Sequence, residues 1–89
     1  MPDDRRPTRV GCVFRPQHRP ELLPEVARAA DTSGLHELWL WEDCFLHGGI
    51  AAAAAALAHS DDLTVGIGVL PVPMRSVVAT AMEIATLQR

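Results

Sequence analysis

Three short apolar runs alternate along the chain with three stretches of helical periodicity. After a polar leader, residues 1–8, the run Arg9-Val-Gly-Cys-Val-Phe14 is rich in β-formers and stops at Arg15-Pro16, where proline has no ladder donor to offer. It reads as a first, buried strand. From Glu21 to Ser33, Leu22, Leu23, Val26, Ala27 and Ala30 share one helical stripe, while Glu25, Arg28 and Asp31 lie off it. Pro20 and Pro24 are compatible only with its first turn, and Gly34 supplies the left-handed residue that ends such a helix.

A second apolar run, Leu38-Trp-Leu-Trp41, shows no polar alternation, which is the pattern of a parallel strand covered on both faces; it ends abruptly at Glu42-Asp43. Gly48-Gly49 then opens an alanine-rich helix through Ile50 to His59, closed by Ser60-Asp61-Asp62. Leu63-Thr-Val-Gly-Ile-Gly-Val-Leu70 is the third strand, ended by Pro71 and Pro73. Ser76 is placed to cap a third helix in which Val77, Val78, Ala81, Ile84 and Ala85 recur at helical spacing, with Arg75, Thr80 and Glu83 elsewhere. The order β-α-β-α-β-α defines an α/β fold with parallel strands joined by crossovers. Three such strands alone leave exposed edges, so the sheet reads as part of a larger fold cut off before it closes, or as one completed by another chain.

Composition narrows the function classes. Hydrophobic residues make up 48% of the 89, enough to argue against disorder. The formal charge is −3 and all eight basic residues are scattered arginines, which gives no electrostatic footprint for nucleic acid. Cys12 and Cys44 match no paired zinc or redox motif, and they read as reduced thiols of a cytoplasmic protein. No signal peptide opens the sequence, and the longest apolar run, Gly48 to Ala58, is far short of the ~20 residues of a membrane helix.

Within this frame the chemistry-bearing residues gather at strand ends. Glu42 and Asp43 are adjacent, so on a strand they point to opposite faces and cannot act as a paired acid and base; one faces a site, the other is solvated or caps the helix that Gly48 opens. Phe14 and Arg15 end the first strand and either line the same mouth or serve as core aromatic and surface charge. His18, His36, His47 and His59 have no metal-site spacing and read as surface or capping residues. Trp39 and Trp41 share one strand face and read as packing. Gly66 and Gly68 lack the third glycine and the directly following helix of a dinucleotide-binding loop.

Three segments carry a resemblance over Val10 to Arg89. Ala27-Arg-Ala-Ala-Asp-Thr-Ser-Gly-Leu-His-Glu-Leu-Trp-Leu-Trp-Glu-Asp43 resembles the helix, glycine turn and second strand of the luciferase-like monooxygenase family, whose members include deazaflavin-dependent enzymes. Leu63-Thr-Val-Gly-Ile-Gly-Val69 resembles its third strand, and Ala81 to Leu87 the helix that follows. The resemblance implies a (β/α)8 TIM-type barrel of about 300 residues with its site at the C-terminal strand ends, of which this chain carries the first three βα units.

It further implies an oxidoreductase or monooxygenase using FMN or a deazaflavin coenzyme, with a small organic substrate and in some members molecular oxygen. Homo-oligomerisation is left open, and the 89 residues alone are expected to be inactive. The family's non-prolyl cis peptide on the third strand falls here at Gly68-Val69, a bond whose cis form costs roughly 3–4 kcal/mol. Phe14, Asp43, Cys44, Gly68 and Val69 are the implied cofactor-binding residues, and Asp43 the implied catalytic one. Where deazaflavin members carry an Asp-His pair, Cys44 stands in place of the histidine. An imidazole titrates near neutrality, whereas a thiol has a reference pKa of about 8.5, so proton shuttling at this position is in doubt. The contrasting reading is a self-contained, non-enzymatic α/β interaction module that pairs its strand edges with a partner.

Overall fold

The computed structural model describes residues 8–89, so nearly all of the polar leader lies outside the described residues. Three parallel strands, β1 (Gly11–Val13), β2 (Glu37–Leu40) and β3 (Thr64–Ile67), stand in the sheet in chain order with β2 in the middle. Gly11 pairs with Glu37 and Glu37 with Thr64; Val13 pairs with Trp39 and Trp39 with Gly66. The helices α1 (Leu23–Thr32), α2 (Gly49–Ala58) and α3 (Val77–Gln88) follow the strands in turn, giving the expected β-α-β-α-β-α order.

Local chemistry accounts for each boundary. Pro24 has no N–H to give to Pro20 in an α-type bond, so the chain first makes a 3-10 turn over Pro20–Leu22, closed by Leu23 N–H to the Pro20 carbonyl, before α1 begins. At the other end Gly34 (φ +86°) directs Leu35 N–H back to the Ala30 carbonyl and its own N–H to Asp31, which is the Schellman arrangement. The Ser76 hydroxyl accepts from Ala79 N–H at 3.2 Å and caps α3. The Asp31 carboxylate takes the N–H groups of Asp61 and Asp62, at 2.7 and 3.1 Å, and ties the turn before β3 to the end of α1.

The core lies between the sheet and the first two helices. Leu23, Ala27 and Ala30 from α1, Ala52, Ala53 and Ala56 from α2, and Leu38 and Leu40 from β2 form one buried cluster with Phe14 and Leu63. Positions 49, 52, 53 and 56 of α2 repeat at helical spacing with side chains no larger than methyl, so that helix approaches its neighbours closely. Because α1 and α2 share one core with each other as well as with β2, both cover the same side of the sheet. Sequential strand order with α1 and α2 on one side is consistent with a segment of a barrel and departs from the two-sided cover of a doubly wound sheet.

Four expectations are corrected. β1 is not a buried strand: Gly11 and Val13 are exposed, because β1 has a single strand neighbour and its other face meets no layer. β2 is covered on one face only, with Leu38 and Leu40 at 0% and 1% exposure but Trp39 at 43%. In α3 no residue is buried, and Val77 and Val78 of the expected apolar stripe are 70% and 71% exposed; Ile84 of that stripe is half-buried, together with Thr80 and Leu87, which lie outside it. That helix meets chiefly α2, and a cleft of about 440 Å³ lined by Leu57, Val65, Ile67, Leu70, Ile84 and Leu87 separates it from β3. Finally, the Gly68-Val69 bond is trans, as is every peptide bond among the described residues. Gly68 N–H meets the Leu40 carbonyl (2.7 Å), but Glu42 N–H meets the Val69 carbonyl (2.9 Å) where an unbroken parallel ladder would use that of Gly68, so the pairing slips by one residue at this trans bond.

Candidate active site

The C-terminal ends of the strands converge where β2 and β3 run out. Glu42 and Asp43 leave the sheet together, and strand alternation sends them apart: Glu42 is 5% exposed and Asp43 is exposed. Glu42 is the organising side chain. Its carboxylate accepts the Gly49 N–H at 2.8 Å at the start of α2, and it accepts two bonds from Arg75, one from Nε at 2.7 Å and a shorter one from Nη2. Arg75 also approaches Glu83 of α3 at 3.6 Å. The Arg75 hydrogen bonds hold the Glu42 carboxyl below the usual carboxylate range, against the opposing effect of burial, and the same contact raises Arg75. Glu42 therefore takes the helix-capping role open to one of the two acids.

Asp43 starts a turn. Its side chain accepts from Cys44 N–H at 3.0 Å and its carbonyl from Leu46 N–H at 3.2 Å. The turn carries Cys44, exposed and free, and Phe45, fully exposed at φ 64°, a left-handed backbone that few non-glycine residues adopt. Gly68 and Val69 lie directly across, joined to Leu40 and Glu42 by the two backbone bonds beyond the regular ladder, so Gly68, Val69 and the Asp43-Cys44 turn belong to one strand-end ledge. Phe14 directly follows β1, the next strand, but its ring is buried in the core, 5.2 Å from the ring of His18 and 6.0 Å from that of His47.

The open face of the sheet leads up to this ledge. Trp39 lies across Gly66, where an added Cβ would come within 2.6 Å of the indole. Gly68 is different: an added Cβ would meet nothing closer than the Leu40 carbonyl at 3.7 Å, so its backbone is bare and the space above it open. At the opposite end of the same face, Glu37 accepts from Arg9 Nε at 3.0 Å and Trp39 Nε1 at 3.2 Å, and the Arg9 bond in particular lowers its carboxyl pKa. That charge network stands at the N-terminal strand ends, away from the ledge.

Two residues depart from their sequence reading. Both ring nitrogens of His47 are buried without a hydrogen-bond partner among the described residues, so it is neither a surface nor a capping histidine; packing edge-on against Phe14 draws it inward. Arg75, assigned no role beyond lying off a helical stripe, is the partner of the buried acid. His59 does cap, its Nδ1 meeting the Ala55 carbonyl at the end of α2, whereas His36 Nδ1 takes the Val10 N–H and ties the start of β2 to the segment before β1. Burial pushes the Cys12 thiol up. Among the described residues no helix is long and apolar enough to cross a membrane, and no three His, Cys, Asp or Glu side chains gather as a metal site would require.

A ledge of bare glycine backbone at the C-terminal strand ends, on a sequential parallel sheet with helices on one side, is where barrel enzymes place their ligands. Residues 7–89 match the family model described as luciferase-like monooxygenase. None of the curated proteins matches the chain.

Proposed function

Since the chain belongs to the luciferase-like monooxygenase family, we propose that it supplies the first three βα units of an oxidoreductase barrel in which Gly68 and Val69, with Asp43 and Cys44, hold the ring of FMN or a deazaflavin coenzyme. The observation that carries this reading is the open backbone at Gly68, the one glycine of the Gly66-Ile-Gly68 segment whose missing side chain no other residue fills. A flat, largely uncharged ring fits it. Val69, 54% exposed, offers an apolar contact beside the bare backbone, and the Asp43 carboxylate stands at the rim as an acceptor. When bound, such a coenzyme supplies reducing electrons to molecular oxygen or to an organic substrate.

The chain's own residues have limited work in that scheme. Gly68 admits close approach, Val69 packs, and Asp43 orients a donor at the rim. Phe14 is packed in the core beneath the sheet. Cys44, exposed on the same turn, takes the position of the family's imidazole, so a proton needed by the reaction comes from elsewhere in the barrel or from solvent. The unpaired sides of β1 and β3 are completed by further strands of the barrel, and the protein acts in the cytoplasm.

The test is titration of the protein expressed from its whole reading frame with FMN and with a deazaflavin, followed by visible absorbance. Saturable binding of either supports the reading, and a colourless protein that binds neither overturns it. The 89 residues alone are expected to show no cofactor turnover. The same unpaired edges also motivate the module reading; cooperative unfolding of these 89 residues as a stable monomer in sedimentation would favour it over a barrel segment.

A further inference from the structure

We infer that Arg75 and Glu42 are a positioning pair for the cofactor ledge, setting where Gly68-Val69 stands relative to the bound ring without touching it. This rests on the function proposed above. The argument begins from connectivity. Glu42 contributes a side chain and a backbone group to different neighbours: its carboxylate binds Arg75 and the first turn of α2, while its N–H binds the Val69 carbonyl at 2.9 Å. Any displacement of the carboxylate is therefore passed to the ledge through one residue.

The surroundings make that coupling stiff. An added Cβ at Gly49 would fall 3.1 Å from Leu70 and 3.3 Å from the Glu42 Cβ, so the helix start, the acid and the residue after the ledge are packed together without slack. The guanidinium offers a planar fork that fixes the carboxylate in direction as well as distance, which an ammonium cannot do. Arg75 itself comes from the loop that follows the ledge and precedes the Ser76 cap, and its second contact, to Glu83, anchors it to α3. One ion pair thus joins the ends of two strands and the starts of two helices around Gly68-Val69. Ligand-binding geometry held to a fraction of an ångström needs such support, because sites lose function when the shell behind them is loose.

The experiment uses the protein expressed from its whole reading frame, with FMN and a deazaflavin as probes, and compares Arg75→Lys, Glu42→Asp and Ser76→Ala with the parent. Arg75→Lys keeps the charge and loses the fork; Glu42→Asp keeps the charge and draws the carboxylate back by one methylene. Ser76→Ala loosens the start of α3 without touching Glu42. Both pair variants are expected to weaken binding of the accepted probe roughly tenfold or more and to shift the bound probe's visible band toward that of the free form. Ser76→Ala is expected to leave the band where it is, even if its urea midpoint falls as far as theirs. If one pair variant does not fold, the other decides. Parent-like affinity and spectrum in a folded pair variant overturn the positioning role while leaving cofactor binding intact. A parent protein that binds neither probe overturns both readings.

Discussion

Replacing Glu42 by glutamine removes the charge and one of the two acceptor oxygens. The amide keeps the volume and an oxygen that can still accept from Gly49, but its NH2 then faces the Arg75 Nε donor, so the change removes the charge together with one accepted hydrogen bond. The side chains of Glu42 and Arg75 are 4% and 19% exposed, which puts the pair in the class where removing one partner costs about 3–5 kcal/mol. Two features lower that figure. Glu83 stays within 3.6 Å of the guanidinium as a second counter-charge, and Arg75 keeps some contact with water. A loss of about 2 kcal/mol follows, which for a domain of this size lowers Tm by roughly 8–16 °C.

The pH dependence supplies the discriminating result. The Glu42 carboxyl is depressed in the folded state, so its contribution is fully present above the unfolded carboxyl value of about 4.3 and is lost as pH falls through the lower, folded value. The glutamine variant carries no such proton. Urea unfolding of parent and Glu42→Gln, followed by far-ultraviolet circular dichroism, should therefore show a gap of about 2 kcal/mol at pH 7 that starts to close below about pH 4.3 and vanishes once Glu42 is protonated. Every other acid titrates in both proteins and cancels in the difference. A gap that stays constant down to pH 3 would show that shape, not charge, is responsible. A gap under about 0.5 kcal/mol at pH 7 would place the pair with surface ion pairs.

Other substitutions test separate parts of the structure. His47→Met exchanges two unpartnered buried nitrogens for an apolar side chain and should be neutral or stabilising by about 1 kcal/mol in the same urea assay; a loss above about 1 kcal/mol would mean the imidazole has a partner. At Gly34 an added Cβ meets nothing within 4 Å, so Gly34→Ala should cost only the left-handed backbone penalty of about 1–2 kcal/mol, and Gly34→Asn less. Equal costs for the two would refute the conformational explanation. Gly66→Ala must push the Trp39 indole away, because the new methyl falls 2.6 Å from the ring; a red-shifted tryptophan emission is expected, and an unchanged spectrum would mean the ring does not lie on Gly66.

Element order and helix limits are legible because each rests on local signals: Gly34 and Ser76 cap where their chemistry demands, and the alanine face of α2 repeats at the helical period. Exposure is less legible. Leu38-Trp-Leu-Trp41 carries no polar residue to mark a side, so the run cannot show that only the leucine face meets helices, nor that Val77 and Val78 point outward on a helix lacking a layer to cover them.

The same ambiguity hides the organising acid. Alternation alone separates Glu42 from Asp43, but it does not say which of them goes inward. Once the face of Leu38 and Leu40 is known to be the covered one, parity carries Glu42 onto that face and Asp43 off it. A carboxylate so placed needs a cation, and the partner is Arg75, 33 residues further along the chain. Its neighbours explain the choice: in a parallel sheet the segment leaving β3 passes the end of β2, so a residue between Pro73 and the Ser76 cap comes within reach of it. The resemblance directs attention to Asp43 and Cys44 at the rim. The arrangement that supports the ledge depends on a face assignment, and that becomes visible only when the sheet has its helices on one side.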